Sequence, residues 1–196
     1  MKENIKIIEK PDWVSWDDIK QCLVLAHAEN RAKGIVMSSY QGSADNIHES
    51  LGVNGKMYVA LLGDIVVGVA GLGEKNYKRW YGDRCAYLCY AGVRPEYRGM
   101  GFYQSLTEKR EMIAKEMGYE VVVFDTHKDN VLVQEIAQRN GYKKVRFFKA
   151  KTGDHYNVVM AKWLNGCRYS ELYCKWKYYK SKTQVYFNSV FHHQKK

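Results

Sequence analysis

No run of about 18 apolar residues occurs in this 196-residue chain, so no membrane span is expected. Its start, Met1-Lys2-Glu3-Asn4, lacks the apolar segment of a secretion signal. Cysteine is sparse: Cys22, Cys85, Cys89, Cys167 and Cys174 are odd in number and follow neither a zinc nor a disulfide spacing. Cys85 and Cys89 fall in an apolar strand pattern, where a thiol behaves as a small hydrophobe. These absences point to a reducing, cytoplasmic setting and to no metal site. No internal repeat or low-complexity segment stands out, and the length suits a single sizeable core.

Acidic residues are scarce at one end only. From Lys162 to Lys196 there are eight Lys or Arg and one acid, a charge of +7, leaving +3 of the total +10 for the first 161 residues. Basicity therefore belongs to the tail, and whole-chain charge is no argument for nucleic-acid binding.

The most informative stretch is Val93-Arg94-Pro95-Glu96-Tyr97-Arg98-Gly99-Met100-Gly101-Phe102-Tyr103. It joins an apolar strand pattern, Cys85 to Val93, to a helix pattern from Phe102 to Met117 with Leu106, Ile113 and Met117 at helical spacing. Two glycines allow a tight turn and leave amides uncovered. The first amides of a helix lack internal partners and sit at the positive end of its dipole, which suits a phosphate or pyrophosphate. A dinucleotide fingerprint needs a third glycine, but position 104 is Gln; a triphosphate loop needs Gly-Lys-Ser or Gly-Lys-Thr, which is missing. An ordinary strand-to-helix turn stays open as the simpler alternative.

After Gly118-Tyr119 comes the buried-strand pattern Val121 to Asp125, then Asp129-Asn130, a helix pattern Val131 to Asn140, and Gly141-Tyr142. Together the two blocks resemble the GNAT superfamily of acyl-CoA-dependent N-acetyltransferases. The Arg-Gly-x-Gly turn matches its coenzyme A pyrophosphate loop, and the eleven-residue step from Asn130 to Gly141 matches its second block. The resemblance covers roughly residues 4–164. It implies an α+β fold: a mixed, mostly antiparallel sheet flanked by helices, its fourth and fifth strands splayed to admit the pantetheine arm. It also implies transfer of an acetyl or other short acyl group from acetyl-CoA, as donor substrate, to the primary amine of a small molecule or peptide. The coenzyme contacts carried over are Val93, Arg98, Gly99, Met100, Gly101, Phe102, Tyr103 and Asn130. Arg98 either reaches phosphate or frames the loop, and Asn130 either bonds the arm or caps its own helix.

Attack on a thioester requires a neutral amine, hence a proton acceptor, and the tetrahedral intermediate requires a donor to its oxyanion. Some relatives place a carboxylate five residues before the motif Asn; that position is Asp125, which is either the base or a turn cap. His127 shares its loop and titrates near neutrality unless perturbed. Many members carry a Tyr acid seven residues after the Asn, where this chain has Ala137. That departure keeps a non-catalytic acyl-CoA-binding regulatory domain as the alternative.

The remaining pattern predicts a strand at Ile5–Glu9, a long helical region from about Ser15 to Lys33, a short helix around Ala44–Leu51, and a hairpin of Lys56–Leu62 with Ile65–Gly71 across Gly63-Asp64. Strands at Tyr142–Ala150 and His155–Trp163, joined across Thr152-Gly153-Asp154, close the domain. Met37, Tyr40, Gln41, Asp45, His48 and Glu49 form an acceptor-side mixture with no recognisable code. Residues 165–196 form a basic aromatic extension in which Tyr169, Leu172, Tyr173, Trp176 and Tyr179 share a helical face. That face is expected to pack on the domain or a dimer partner; contact with an anionic membrane or nucleic acid is the alternative.

Overall fold

Ser15 opens the first helix of the computed structural model: its hydroxyl accepts the Asp18 amide while the Asp18 carboxylate accepts the Ser15 amide, a complete capping box. The structure describes residues 5–35, 42–73, 79–80, 83–150, 154–166 and 169–193. Met37, Tyr40, Gln41, Cys167 and the Thr152-Gly153 turn lie outside the described residues. The chain divides into two units, Met1–Val122 and Val123–Lys196.

The first unit contains β1 (Ile5–Glu9), α1 (Trp16–Ala26), α2 (Ala28–Ala32), α3 (Ala44–Leu51), β2 (Lys56–Leu62), β3 (Ile65–Gly73), β4 (Arg79–Trp80), β5 (Asp83–Val93) and α4 (Phe102–Glu116). β1, β2, β3 and β5 pair antiparallel in that order, with the short β4 beside β5. β2 and β3 are buried on both faces. Met57, Val59 and Leu61 share a core with Ile19, Cys22 and Leu23 of α1 and Ile47 and Leu51 of α3. The alternate residues, Tyr58 and Ala60, point to the other face, and α4 packs against both strands. Burial also pushes the Cys22 thiol up to about 11, so it remains a protonated core group.

The helical region expected from about Ser15 to Lys33 is present as two helices that meet at His27, which closes α1 and precedes α2. The cause is side-chain burial. His27 Nε2 lies 3.1 Å from the carbonyl oxygen of Ala91 in β5, and leaving the helical path brings the ring there.

The second unit continues β6 (Val121–His127), the last strand to begin in the first, with α5 (Val131–Arg139), β7 (Lys143–Lys149), β8 (Tyr156–Trp163) and α6 (Glu171–His193). β8 pairs antiparallel with β7 and neighbours β6. β7 is the edge strand, and α6 covers it: the Phe147 amide donates to Ser181 Oγ at 2.9 Å, and Tyr178 and Tyr186 pack on the Phe147 ring. The side of α6 that packs is thus Cys174, Tyr178 and Ser181. Leu172, Trp176 and Tyr179 are exposed in the single chain, while Tyr169, of the same expected face, packs on Trp163. The mostly antiparallel sheet with flanking helices is the α+β class expected from the sequence. Among the described residues no helix is long and apolar enough to cross a membrane.

Candidate functional site

The loop after β5 is built to keep side chains away from backbone. Val93 is the last paired residue, opposite Gly68, and Pro95–Tyr97 form a single 3-10 turn. Gly99 and Gly101 then take φ of +79° and +84°, a region side-chain-bearing residues rarely adopt. A Cβ added at either would meet nothing within 4 Å, so the space beside both is open. Gly101 is the N-cap of the 15-residue α4, which has no side-chain cap and no acid in its first turn. The first helical bond from this end runs from the Ser105 amide to the Gly101 carbonyl. Amides 102–104 therefore precede the helix's own bonding and gather at its positive end. Phe102 is buried and anchors this turn in the core, while Met100 is exposed. Burial raises the Tyr103 phenol, with the Arg110 charge acting the other way.

Arg98 does not point its guanidinium into that open space. It pairs with Glu29 at 2.8 Å and donates to the Ala26 carbonyl at 2.8 Å. Of its two sequence readings, this geometry matches framing: the side chain ties the loop to the α1–α2 junction.

Just upstream, β5 carries a bulge. Val69 faces Gly92 and Gly71 faces Cys89, so Tyr90 and Ala91 together oppose Ala70. Tyr90 has φ of +48°, the one described non-glycine residue with positive φ. Its phenol shares a 2.6 Å hydrogen bond with Ser50 of α3, and burial raises its pKa. Behind the bulge lies Arg110 of α4, 2% exposed. Its guanidinium donates to the carbonyls of Gly71 at 3.2 Å, Leu106 at 3.3 Å and Cys89 at 3.5 Å, and to Thr107 Oγ1 at 3.3 Å. Among the described residues no carboxylate pairs with it; carbonyl dipoles hold the charge. His27 is the other buried base of the first unit: desolvation outweighs its bond to Ala91 and pulls its pKa down to about 4. Neutral at ordinary pH, the ring donates from Nε2 to the Ala91 carbonyl.

The second cluster lies in the second unit, at the end of β6. Asp125 Oδ2 accepts from Asn157 Nδ2 of β8 at 2.8 Å, while Asn157 Oδ1 is buried with no partner. His127 is buried. Its Nδ1 accepts the Asp129 amide at 3.2 Å, so in the neutral ring the proton sits on Nε2. Burial lowers the His127 pKa; Asp129 opposes this, and His155, stacked at 5.4 Å, and Lys128 add to it. Asn130 starts α5 but its side chain does not cap it: Nδ2 donates to Thr126 Oγ1 at 3.0 Å. Gln134 donates to the carbonyls of His127 and Lys128, fixing the loop. Ala137 is buried in α5.

The structure thus gathers Val93 through Tyr103 into one loop, and sets Asp125 beside Asn157, His127 beside Asp129 and His155, and Asn130 beside Thr126. Sequence reasoning missed Asn157, Arg110 and His27. Arg110 carried a signal, since it stands four residues from both Leu106 and Ala114 on the apolar row of α4. Asn157 carried none.

The sequence profile of the acetyltransferase (GNAT) family matches residues 22–142. No curated protein matches the sequence. Among solved structures, a GNAT-family acetyltransferase of Staphylococcus aureus Mu50 is 19% identical, with TM-score 0.64 over 82% of this chain and 99% of its own. The ribosomal-protein-S18-alanine N-acetyltransferase of Escherichia coli is 12% identical, with TM-score 0.64 over 84% and 96%. A GNAT-family acetyltransferase of Elizabethkingia anophelis, solved with acetyl-CoA bound, is 16% identical, with TM-score 0.59 over 83% and 99%. With the family profile spanning both the glycine loop and the Asn130 block, the chain belongs to the GNAT family of acetyltransferases.

Proposed function

We propose that this protein transfers an acetyl group from acetyl-CoA to a primary amine. The observation that carries this reading is the open, left-handed Gly99–Gly101 turn at an uncapped 15-residue helix. Amides there are suited to the diphosphate of the donor without any particular side chain. Val93, Gly99, Met100, Gly101, Phe102 and Tyr103 contribute backbone, Arg98 holds the loop in place, and Asn130 is a polar contact for the arm. The Elizabethkingia relative, which binds acetyl-CoA, supports this choice of donor.

Asp125 is the proton acceptor for the attacking ammonium in this reading, oriented by the Asn157 amide. His127 serves better as a donor than as a base, because its Nδ1 lone pair is committed to a backbone amide. The donor to the oxyanion in this reading is a backbone N–H. The amine nitrogen forms the new bond to the acetyl carbon, the carbon–sulfur bond breaks, and the thiolate is protonated from solvent, since Ala137 offers no acid. That same alanine favours the second reading, a domain that binds acyl-CoA without turnover. The acceptor is a small-molecule or peptide amine, and the compartment proposed is the cytoplasm.

Calorimetric titration of acetyl-CoA, followed by an amine screen read as released coenzyme thiol, tests both readings. Binding with turnover supports transfer. Binding without turnover on any amine supports the regulatory domain, and no binding removes both.

A further inference from the structure

Helix α6 carries an exposed apolar stripe. Leu172, Trp176, Tyr179 and Phe187 are 77%, 51%, 60% and 59% exposed. At 3.6 residues per turn they fall within an arc of roughly 80°, along about 23 Å of helix. The opposite side, Cys174, Tyr178 and Ser181, is the one spent on β7. A helix that buries one side in its own unit has no packing reason for a second apolar side. Lysines border the stripe, with Lys175 on one flank and Lys180 on the other. The helix holds four lysines against one acid, Glu171, which is already paired with Lys175 at 2.7 Å.

We propose that this face of α6 rests on an anionic lipid surface, its apolar row in the boundary between headgroups and acyl chains and its lysines at the lipid phosphates. The side-chain chemistry suits that boundary: Trp and Tyr pair an apolar body with a polar edge, and Leu and Phe supply purely apolar ends. Lysine stems reach along the helix while the ammonium stays at headgroup level. Because no described helix is apolar enough to span, the mode is lying on the surface rather than crossing it.

Two other occupants fit less well. Single-stranded nucleic acid stacks on ring faces, but Lys180 sits over the Trp176 ring at 4.9 Å and Lys177 over it at 5.8 Å, so those faces are already taken. Leu172 has no face to stack on. A second copy of the chain, docked stripe to stripe, would bring Lys175 and Lys180 of both copies together as like charges.

The test is co-flotation of the full chain with vesicles of phosphatidylcholine and phosphatidylglycerol at 3:1, against phosphatidylcholine alone. Binding to the anionic vesicles that falls with added salt is expected. The pair Lys175→Glu/Lys180→Glu should weaken it by about fivefold per lysine or more. Trp176→Ser/Phe187→Ser should weaken it by about tenfold or more, with unchanged circular dichroism and acetyl-CoA binding. The proposal is overturned by absence of anionic-vesicle binding, or by binding that ignores the Trp176/Phe187 substitutions. Stripe-dependent dimerisation by light scattering, or stripe-dependent capture of a single-stranded oligonucleotide without vesicle binding, overturns it as well. The readout needs no acetyl transfer, so its failure and that of the proposed activity are separable.

Discussion

The glycine loop after β5 and the Asp125 cluster at the end of β6 are built on opposite plans. The loop is made of backbone: two left-handed glycines, open space where side chains would stand, and helix amides at a dipole end. The cluster is made of side chains: a carboxylate held by Asn157, an imidazole held by a backbone amide, and two buried amide side chains satisfied by neighbours. A backbone site tolerates exchange of its side chains and fails when backbone is covered. A side-chain site fails when a single atom changes. The difference predicts how each responds to substitution.

The largest effect is expected in the cluster. Asp125→Asn keeps the shape and removes the proton acceptor, so turnover should fall by roughly 10²–10⁴-fold while acetyl-CoA affinity barely moves. Steady-state kinetics beside calorimetry checks this, and unchanged turnover removes Asp125 from the mechanism. In the loop, Gly101→Glu places bulk and negative charge at the amides, and acetyl-CoA affinity should fall by about 100-fold, with the fold retained on circular dichroism. Wild-type affinity in that variant would mean the diphosphate lies elsewhere.

Next comes a pH effect confined to the first unit. His27 has a pKa of about 4 when folded against 6.5 for the free group, so the unfolded chain takes up a proton that the folded chain refuses. Its contribution is intact above pH 6.5 and is lost as pH falls toward 4, up to about 3 kcal/mol. Urea unfolding across this window should show the slope, and His27→Gln, which keeps a donor for Ala91, should flatten it. The smallest effect is Arg98→Ala, expected to change acetyl-CoA affinity by less than about threefold, because its guanidinium serves Glu29 and Ala26. A loss as large as that from Gly101→Glu would turn the backbone-built loop into a side-chain site after all.

The same contrast explains what could be read from the sequence. Gly99 and Gly101 announce their conformation because few other residues adopt it, and short continuous apolar runs place β2, β3 and β6. The Asn157–Asp125 contact joins residues 32 apart in separate strands, and no local pattern encodes which polar strand residue faces which. The break at His27 depends on a carbonyl in β5, 64 residues away. On α6 helical periodicity found the aromatic row, while the contact of Ser181 with the Phe147 amide on β7 joins residues 34 apart and left no local signal. Periodicity reports which residues share a side; it is silent on which of two sides meets the protein.

Arg110 has a consequence for the order in which structure is lost. Its guanidinium joins α4 to carbonyls 39 and 21 residues earlier in the chain, those of the facing residues Gly71 and Cys89 next to the bulge. If α4 lifts away, two buried carbonyls lose their donor at once, and the left-handed turn at Tyr90 loses its backing. Helix and bulge should therefore open as one cooperative unit, with the amides of α4 and of β5 near Tyr90 exchanging hydrogen for deuterium together.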